Sequence, residues 1–389
     1  MKLRALQLAK IKKGTRILMR VDCNVPVQNR HVEAQSAWRL EQTLSDIVAY
    51  QKRGAIIIIA GHLGRPDGEV KLSLSLKPIA RWYEQKLNTR VELIKDPTSL
   101  SAVDKIKSLL PGSVVLLENL RFFPGEEANG SRFAKALSKL ADVYVNNAFG
   151  VCHRKHASVY AITKYLPGYA GSILINESAK LGAKRNHPFV FILGGVKLET
   201  KMPTLLRLGK EADTILVGGG VAIAMSATQQ KKVLQIKNQN FSRSELSLAK
   251  LAIKKFKKKL ILPVDFVCVR DRKTQNILSG HVVTTDQILD VGSATIKLFA
   301  SSMKSAKTIV FNGAMGSLQS GAQAGTADIA KALPITNQKQ AIVGGGDTVG
   351  FLQGKELLNH FSFVSTGGGA MLAFLAGEKL PGLEALKIK

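Results

Sequence analysis

Short, nearly continuous apolar runs recur along the chain. In the first half they lie near residues 16–21, 55–60, 91–94, 114–117 and 142–146. In the second half they lie near 189–193, 214–217, 232–236, 260–269, 308–312, 341–343 and 361–364. Runs such as Ala55–Ala60 show no polar alternation, which marks strands buried on both faces. Helix-length segments separate most of them. This β–α alternation predicts an α/β fold with parallel sheets covered by helices on both sides. The runs outnumber the strands of one compact open sheet, so two domains are predicted. The break is expected near 168–187. There Leu166–Gly171 reads as a loop, Ile175–Arg185 as a helix, and His187-Pro188 opens the next strand.

The residues that follow the strands carry the chemistry. Three glycine triplets, 218–220, 344–346 and 367–369, each stand between an apolar run and a helix-like segment. Such a turn is expected to leave backbone N–H groups bare at a helix N-terminus, where phosphate is favoured. In the first half the strand ends lead into Gly61-His62-Leu63-Gly64-Arg65-Pro66, Glu118-Asn119-Leu120-Arg121 and His153-Arg154-Lys155-His156. Ligands of open parallel sheets bind outside the carboxyl ends of the strands. Arginine and histidine gathered there describe a pocket for a small polyanion. A basic pocket in one half and phosphate turns in the other imply phosphoryl transfer between two ligands.

Local motifs sharpen this reading. Asp22 and Asn24 follow the first strand and alternate with apolar residues, so both can face one side of a crevice. Gly194-Gly195 precede Lys197 and Lys201, two lysines one helical turn apart. Asp347 directly follows a glycine triplet and is the carboxylate best placed for Mg²⁺, which takes one or two carboxylates and waters. Cys152, His153 and His156 are close enough in sequence to suggest zinc, but Arg154 and Lys155 between them repel a cation. There is no G-x-x-x-x-G-K-[ST] motif, and the triplets fail the dinucleotide-binding spacing.

Composition changes the picture little. The chain is 45% apolar, as a globular protein is, and no apolar run reaches the length of a membrane span. Three scattered cysteines build no disulfide framework, and the N-terminus lacks a signal-type core, so a reducing cytoplasm is expected. Lysine and arginine total 56 against 28 acidic residues, a net charge of +28. That excess attracts polyanions, but no nucleic-acid module accompanies it, and lysines on solvated helix faces account for it. The densest run, Lys254–Lys259, sits where a predicted helix ends, and cations there suit the helix dipole. Nucleic acid and membrane are not expected partners.

Ten stretches in order then resemble the phosphoglycerate kinase family over nearly the whole chain. They are RVDCNVP at 20–26, GHLGRP at 61–66, LLENLRFFPGEE at 116–127, YVNNAFGVCHRKHAS at 144–158 and ILGGVKLETK at 192–201. The rest are LVGGGVA at 216–222, LPVDFV at 262–267, FNGAMG at 311–316, IVGGGDT at 342–348 and STGGGA at 365–370. The resemblance implies two Rossmann-like domains joined by a hinge, in a monomer that closes to exclude water. It implies a phosphoglycerate-binding domain over 1–172, with 376–389 packing back on it, and a nucleotide-binding domain over 173–375. The reaction implied is reversible transfer from 1,3-bisphosphoglycerate to ADP, giving 3-phosphoglycerate and ATP, with Mg²⁺ carried on the nucleotide.

Carried over motif by motif, Asp22, Asn24, Arg39, His62, Arg65, Arg121 and Arg154 would hold the phosphoglycerate. Arg39 and Lys197 would meet the transferred phosphoryl group, with Gly345 and Gly368 in its cradle. Lys201, Gly218, Gly219, Asn312, Gln319, Gly346, Asp347 and Thr348 would bind the nucleotide, and Asp347 its metal. Four residues depart from the family pattern. Asn147 stands for aspartate in N-D-A-F-G, Ala314 for proline in N-G-P-M-G, Gln319 for a ribose-binding glutamate, and Cys23 for phenylalanine.

Overall fold

The computed structural model describes residues 2–33, 37–230, 241–321, 324–334 and 340–388. The expected strand near 232–236 lies outside them. The chain forms two compact units, one of residues 1–182 with 379–389 and the other of 183–378.

The first unit contains β1 (Arg16–Arg20), β2 (Val27–Gln28), β3 (His31–Val32), β4 (Ile56–Ala60), β5 (Val91–Ile94), β6 (Val114–Leu117), β7 (Val143–Asn146) and β8 (Gly168–Ala170). Six of these form a parallel sheet in the order β5-β6-β4-β1-β7-β8, while β2 and β3 pair as a small hairpin. Every residue of β4 is buried, as its unbroken Ile56-Ile57-Ile58-Ile59 run requires. It also contains helices α1 (Trp38–Lys52), α2 (Lys77–Leu87), α3 (Leu100–Lys107), α4 (Pro124–Glu127), α5 (Ser131–Ser138) and α6 (Ser172–Gly182), with a further short helix, Pro381–Glu384, from the end of the chain. A core of Met19, Leu40, Ile47, Ile57, Ile59 and Tyr83 lies between the sheet and α1 and α2.

Two boundaries differ from expectation. The stretch read as a loop at 166–171 contains β8, which pairs with β7 from Tyr144↔Gly168 to Asn146↔Ala170. The units divide after α6, inside the 168–187 stretch expected for the break but beyond the 172/173 junction that the family resemblance implies. The reason is local. Ser172 N donates to Asp46 Oδ2 at 2.8 Å, and Ile173 N donates to Asn147 Oδ1 at 2.9 Å. The first two amides of α6 are thus held by side chains of the first unit. At the chain's other end, Arg4 N donates to Leu386 O and Gly382 N to Cys152 O, which binds the last residues to this unit.

The second unit contains β9 (Phe189–Leu193), β10 (Thr214–Val217), β11 (Leu260–Ile261), β12 (Asp265–Arg270), β13 (Lys273–Leu278), β14 (Gln287–Val291), β15 (Thr308–Asn312), β16 (Gln340–Gly344) and β17 (Phe363–Val364). Its six-stranded parallel sheet runs β11-β10-β9-β15-β16-β17. Counted along the chain, that is the 3-2-1-4-5-6 order of a dinucleotide-binding sheet. The helices are α7 (Met202–Glu211), α8 (Gly219–Gln230), α9 (Arg243–Phe256), α10 (Ser293–Met303), α11 (Ala324–Lys331), α12 (Gly346–Gly354) and α13 (Gly368–Leu375). The single strand expected over 260–269 is two strands in different sheets. Pro263 lies between them and has no N–H to give a ladder. Beyond it, β12 pairs antiparallel with β13 and β14.

Candidate active site

In the first unit, the carboxyl ends of β1, β4, β6 and β7 gather the predicted basic residues. Arg39, in the first turn of α1, donates from Nη1 to Asn24 O at 3.0 Å and lies 3.8 Å from Asp22 Oδ2. Asp22 in turn accepts from Asn24 N at 3.0 Å, and Asn24 Oδ1 accepts from Gly64 N at 3.0 Å. Arg121 Nη1 donates to Gly64 O at 2.7 Å, so Asp22, Asn24, Arg39 and Arg121 are joined through one loop. Arg65 is exposed beside that loop and has no side-chain partner among the described residues.

This cluster is strongly cationic and largely sealed. Arg121 is buried, its Nε faces Glu127 at 3.1 Å, and its Nη2 has no partner. Burial lowers the Arg121 pKa to about 10, against the pull of Glu127. His62 is buried, and burial followed by Arg20, Arg121 and Arg154 holds it well below the ordinary histidine range. His156 falls to about 3 by burial and the same three arginines. Arg154 Nε donates to His153 Nε2 at 3.3 Å. Neutral imidazoles and an unpaired guanidinium nitrogen in a buried basic pocket suit a small ligand with several anionic oxygens. The histidines do not form a metal site, and no group of three or more His, Cys, Asp or Glu among the described residues is placed to hold an ion.

Arg20 was not legible as part of this site. It has no exposed surface and ends β1 with contacts to Ser158, Val21 and His62. The available signal was the cation that closes β1 after the apolar Ile17-Leu18-Met19, because a buried charge in a parallel sheet requires partners.

In the second unit the order of the sheet reverses between β9 and β15. The loops after these strands border a cavity of about 680 Å³, well within the range for small ligands. Lys197, Lys201, Asn312, Gln319, Asp347 and Thr348 all line it. The expectation of bare amides at every triplet needs correction. Gly218 N donates to Leu193 O at 3.0 Å and Gly219 N to Met315 O at 2.6 Å, so two of the three amides of the first triplet are spent on packing, while that of Gly220 makes no hydrogen bond among the described residues. Gly219 has φ +56°, and a Cβ there would lie 2.9 Å from both Gly195 O and Ala314 O. Glycine is needed at 219 for close approach of three loops, at a position that also lines the cavity.

The other two triplets keep part of their backbone open, although Gly367 N donates to Ser365 Oγ at 3.3 Å and Gly344 closes β16. The amide of Gly346, at the start of α12, makes no hydrogen bond among the described residues. A Cβ on Gly368 would lie 3.3 Å from that same nitrogen, so the N-termini of α12 and α13 open side by side. Lys201 Nζ donates to Asn312 Oδ1 at 2.6 Å, and Asn312 Nδ2 donates to Gly344 O at 3.0 Å. Both polar atoms of Asn312 are therefore engaged within the protein. Burial lowers the Lys201 pKa to about 8, partly opposed by the carboxylate of Asp347. Lys197 and Gln319 are exposed, and the Asp347 carboxylate has no partner among the described residues. A lone free carboxylate beside open helix amides fits Mg²⁺ carried on a nucleotide and does not fit a protein-caged ion.

Two parallel-sheet units, one with a buried polyanion pocket and one with paired phosphate turns at its switch point, define a phosphotransferase. The family model described as phosphoglycerate kinase matches residues 8–378. The chain is 38% identical to the phosphoglycerate kinase of Moorella thermoacetica, over 96% of each chain. It is 37% identical to that of Thermosipho africanus, over 97% of this chain and 96% of the relative. Among solved structures it is similar to phosphoglycerate kinase from Coxiella burnetii, with TM-score 0.80 and 33% identity over 98% of each chain. It is also similar to the enzyme from Pyrococcus horikoshii, with TM-score 0.87 and 29% identity over 98% of each chain. The chain belongs to the phosphoglycerate kinase family, and its place in glycolysis follows from that membership.

Proposed function

We propose that the first unit binds 3-phosphoglycerate or 1,3-bisphosphoglycerate and the second binds ADP or ATP with Mg²⁺. The observation that carries this reading is the separation of the two kinds of anion site. Buried guanidinium and imidazole groups surround Gly64 and His62 in one unit. Open helix amides, Lys201 and a free Asp347 line the cavity of the other. Asp22 and Asn24 would take ligand hydroxyls, while Arg39, His62, Arg65, Arg121 and Arg154 take its carboxylate and phosphate oxygens. Lys201, Asp347, Thr348 and the loops at 345–346 and 368–369 would hold the nucleotide phosphates, with Asp347 toward the metal. When bound, Mg²⁺ supplies charge neutralisation at the phosphate oxygens.

Lys197 is exposed, unpaired among the described residues and at the rim of this cavity. A long cationic side chain there can follow a phosphoryl group as charge moves to its oxygens. Arg39 is held by Asn24 O and Asp22, so its guanidinium is preset on the other substrate's side. The protein contributes positioning and electrostatics and forms no covalent intermediate. The three buried, unpaired cysteines suit a reducing cytoplasm, and one chain carries both ligand sites, as a monomer requires.

A coupled assay of ADP release from ATP and 3-phosphoglycerate tests this. The parent should turn over, and Lys197→Ala should lower kcat by about two to four decades with a much smaller change in either KM. Near-normal turnover in Lys197→Ala would refute the assignment.

A further inference from the structure

Arg20 takes part in a buried chain of hydrogen bonds whose direction chemistry fixes. Its Nε donates to Ser158 Oγ at 2.9 Å, and its Nη1 donates to Val21 O. The Ser158 hydroxyl, having accepted from Arg20, donates onward to Glu126 Oε1 at 2.5 Å, while Ser158 N donates to Glu126 Oε2 at 2.9 Å. Glu126 has no exposed surface, so the guanidinium charge is balanced through the serine. The remaining arm of Arg20, Nη2, lies 3.1 Å from His62 Nδ1.

A guanidinium has only donors and keeps its proton in proteins. His62 Nδ1 must therefore present a lone pair. That excludes the imidazolium and the Nδ1–H tautomer together, and leaves the proton on Nε2. Nε2, across the ring, has no hydrogen-bond partner among the described residues and is not among the polar atoms sealed from solvent. We propose that Arg20 is a positioning residue that locks His62 as the neutral Nε2–H tautomer, so that it offers a ligand oxygen an uncharged donor.

The surroundings reinforce this assignment. The charged and titratable groups facing His62 are Arg20 from β1, Arg121 after β6, and Arg154 and His156 after β7. A histidinium would add a further positive charge to a pocket already held by three arginines. As a neutral donor, His62 adds a hydrogen bond without that repulsion, and its contribution stays constant across the pH range in which free histidine titrates. Its use toward phosphoglycerate rests on the function proposed above, whereas the tautomer itself does not.

The test uses the full chain with ¹⁵N-labelled histidine. There are seven histidines, so the ring signals of His62 can be assigned by their loss in His62→Gln. Between about pH 5.5 and 8.5, His62 should show a protonated Nε2 and an unprotonated Nδ1, with no titration. An Nδ1–H tautomer, or a titration midpoint inside that window, would overturn the proposal. In Arg20→Met both tautomers should appear, and KM for 3-phosphoglycerate should gain a pH dependence that the parent lacks. Arg20→Lys retains a donor and should restore the single tautomer, and loss of the lock there as well would count against the proposal. If Arg20→Met fails to fold, the parent spectrum and Arg20→Lys still decide it. Addition of 3-phosphoglycerate should shift the His62 Nε2 signal. A locked tautomer that the ligand leaves unmoved would place the ligand elsewhere and leave the role of Arg20 intact.

Discussion

Lys201 is a cation whose charge is conditional. Burial brings its pKa to about 8, so the free protein loses this charge as pH rises past that value. A bound polyphosphate favours the ammonium form, so nucleotide binding near pH 8 must take up protons. The free charged fraction falls about tenfold between pH 7 and pH 9, and nucleotide affinity should weaken by a similar factor. Calorimetry in two buffers of different ionisation enthalpy measures both effects. An affinity that stays flat over this window would mean that Lys201 is not used by the phosphates. Gln319 poses a second residue-scale question. It is exposed at the cavity wall, where an amide accepts hydrogen bonds without charge assistance. Gln319→Glu should tighten ADP binding by about twofold to tenfold and leave kcat almost unchanged. No gain in affinity would show that residue 319 does not face the ribose.

Among the elements, the start of α6 is the clearest case of a departure with a structural use. Asn147 Nδ2 donates to Asp46 Oδ2 at 2.8 Å, and Asn147 Oδ1 accepts from Ile173 N. One amide thus serves a carboxylate and a helix N-terminus at once. Asn147→Asp would set two carboxylates against each other. The folded-state pKa of one of them would rise above its unfolded value, so the penalty applies at neutral pH and is relieved as pH falls through the raised value. Urea unfolding should show a loss of about 1–3 kcal/mol near pH 7.5 and a smaller loss near pH 5. Equal losses at both pH values would contradict the carboxylate clash.

The same scale shows what the chain discloses and what it hides. Strands such as β4 and β9 are legible because burial on both faces forces unbroken apolar runs. Strand β13, Lys273–Leu278, is mostly exposed and polar, and its turn at Asp271-Arg272 adopts positive φ without glycine, so no usual hairpin signal marks it. At the site, the exposed or loop-borne residues Arg65, Lys197 and Asp347 stand out by motif, whereas Arg39, half-buried in α1, is named only by the family resemblance. Arg20 and the spent amides of Gly218 and Gly219 emerge only from three-dimensional packing, since their partners lie far off in sequence.

For the whole molecule, the net charge of +28 is divided nearly evenly between the two units. Part of the lysine run at 254–259 is structural. Lys259 Nζ donates to Ala212 O at 2.8 Å and Lys210 O at 3.1 Å, closing the end of α7. A distributed field still attracts anionic substrates, so kcat/KM should fall severalfold from about 10 mM to about 150 mM salt while kcat stays constant. Stopped-flow or steady-state kinetics over that range checks it, and a flat kcat/KM would leave the charge without a steering role.

The central claim is a division of labour, phosphoglycerate on the first unit and nucleotide on the second. Calorimetric titration of the full chain with each ligand alone, in Arg39→Ala and in Asp347→Ala, tests it most directly. Arg39→Ala should weaken 3-phosphoglycerate binding and leave Mg²⁺-nucleotide binding as in the parent. Asp347→Ala should do the reverse. If either substitution, in a folded protein, weakens the ligand assigned to the other unit as strongly as its own, the division does not hold.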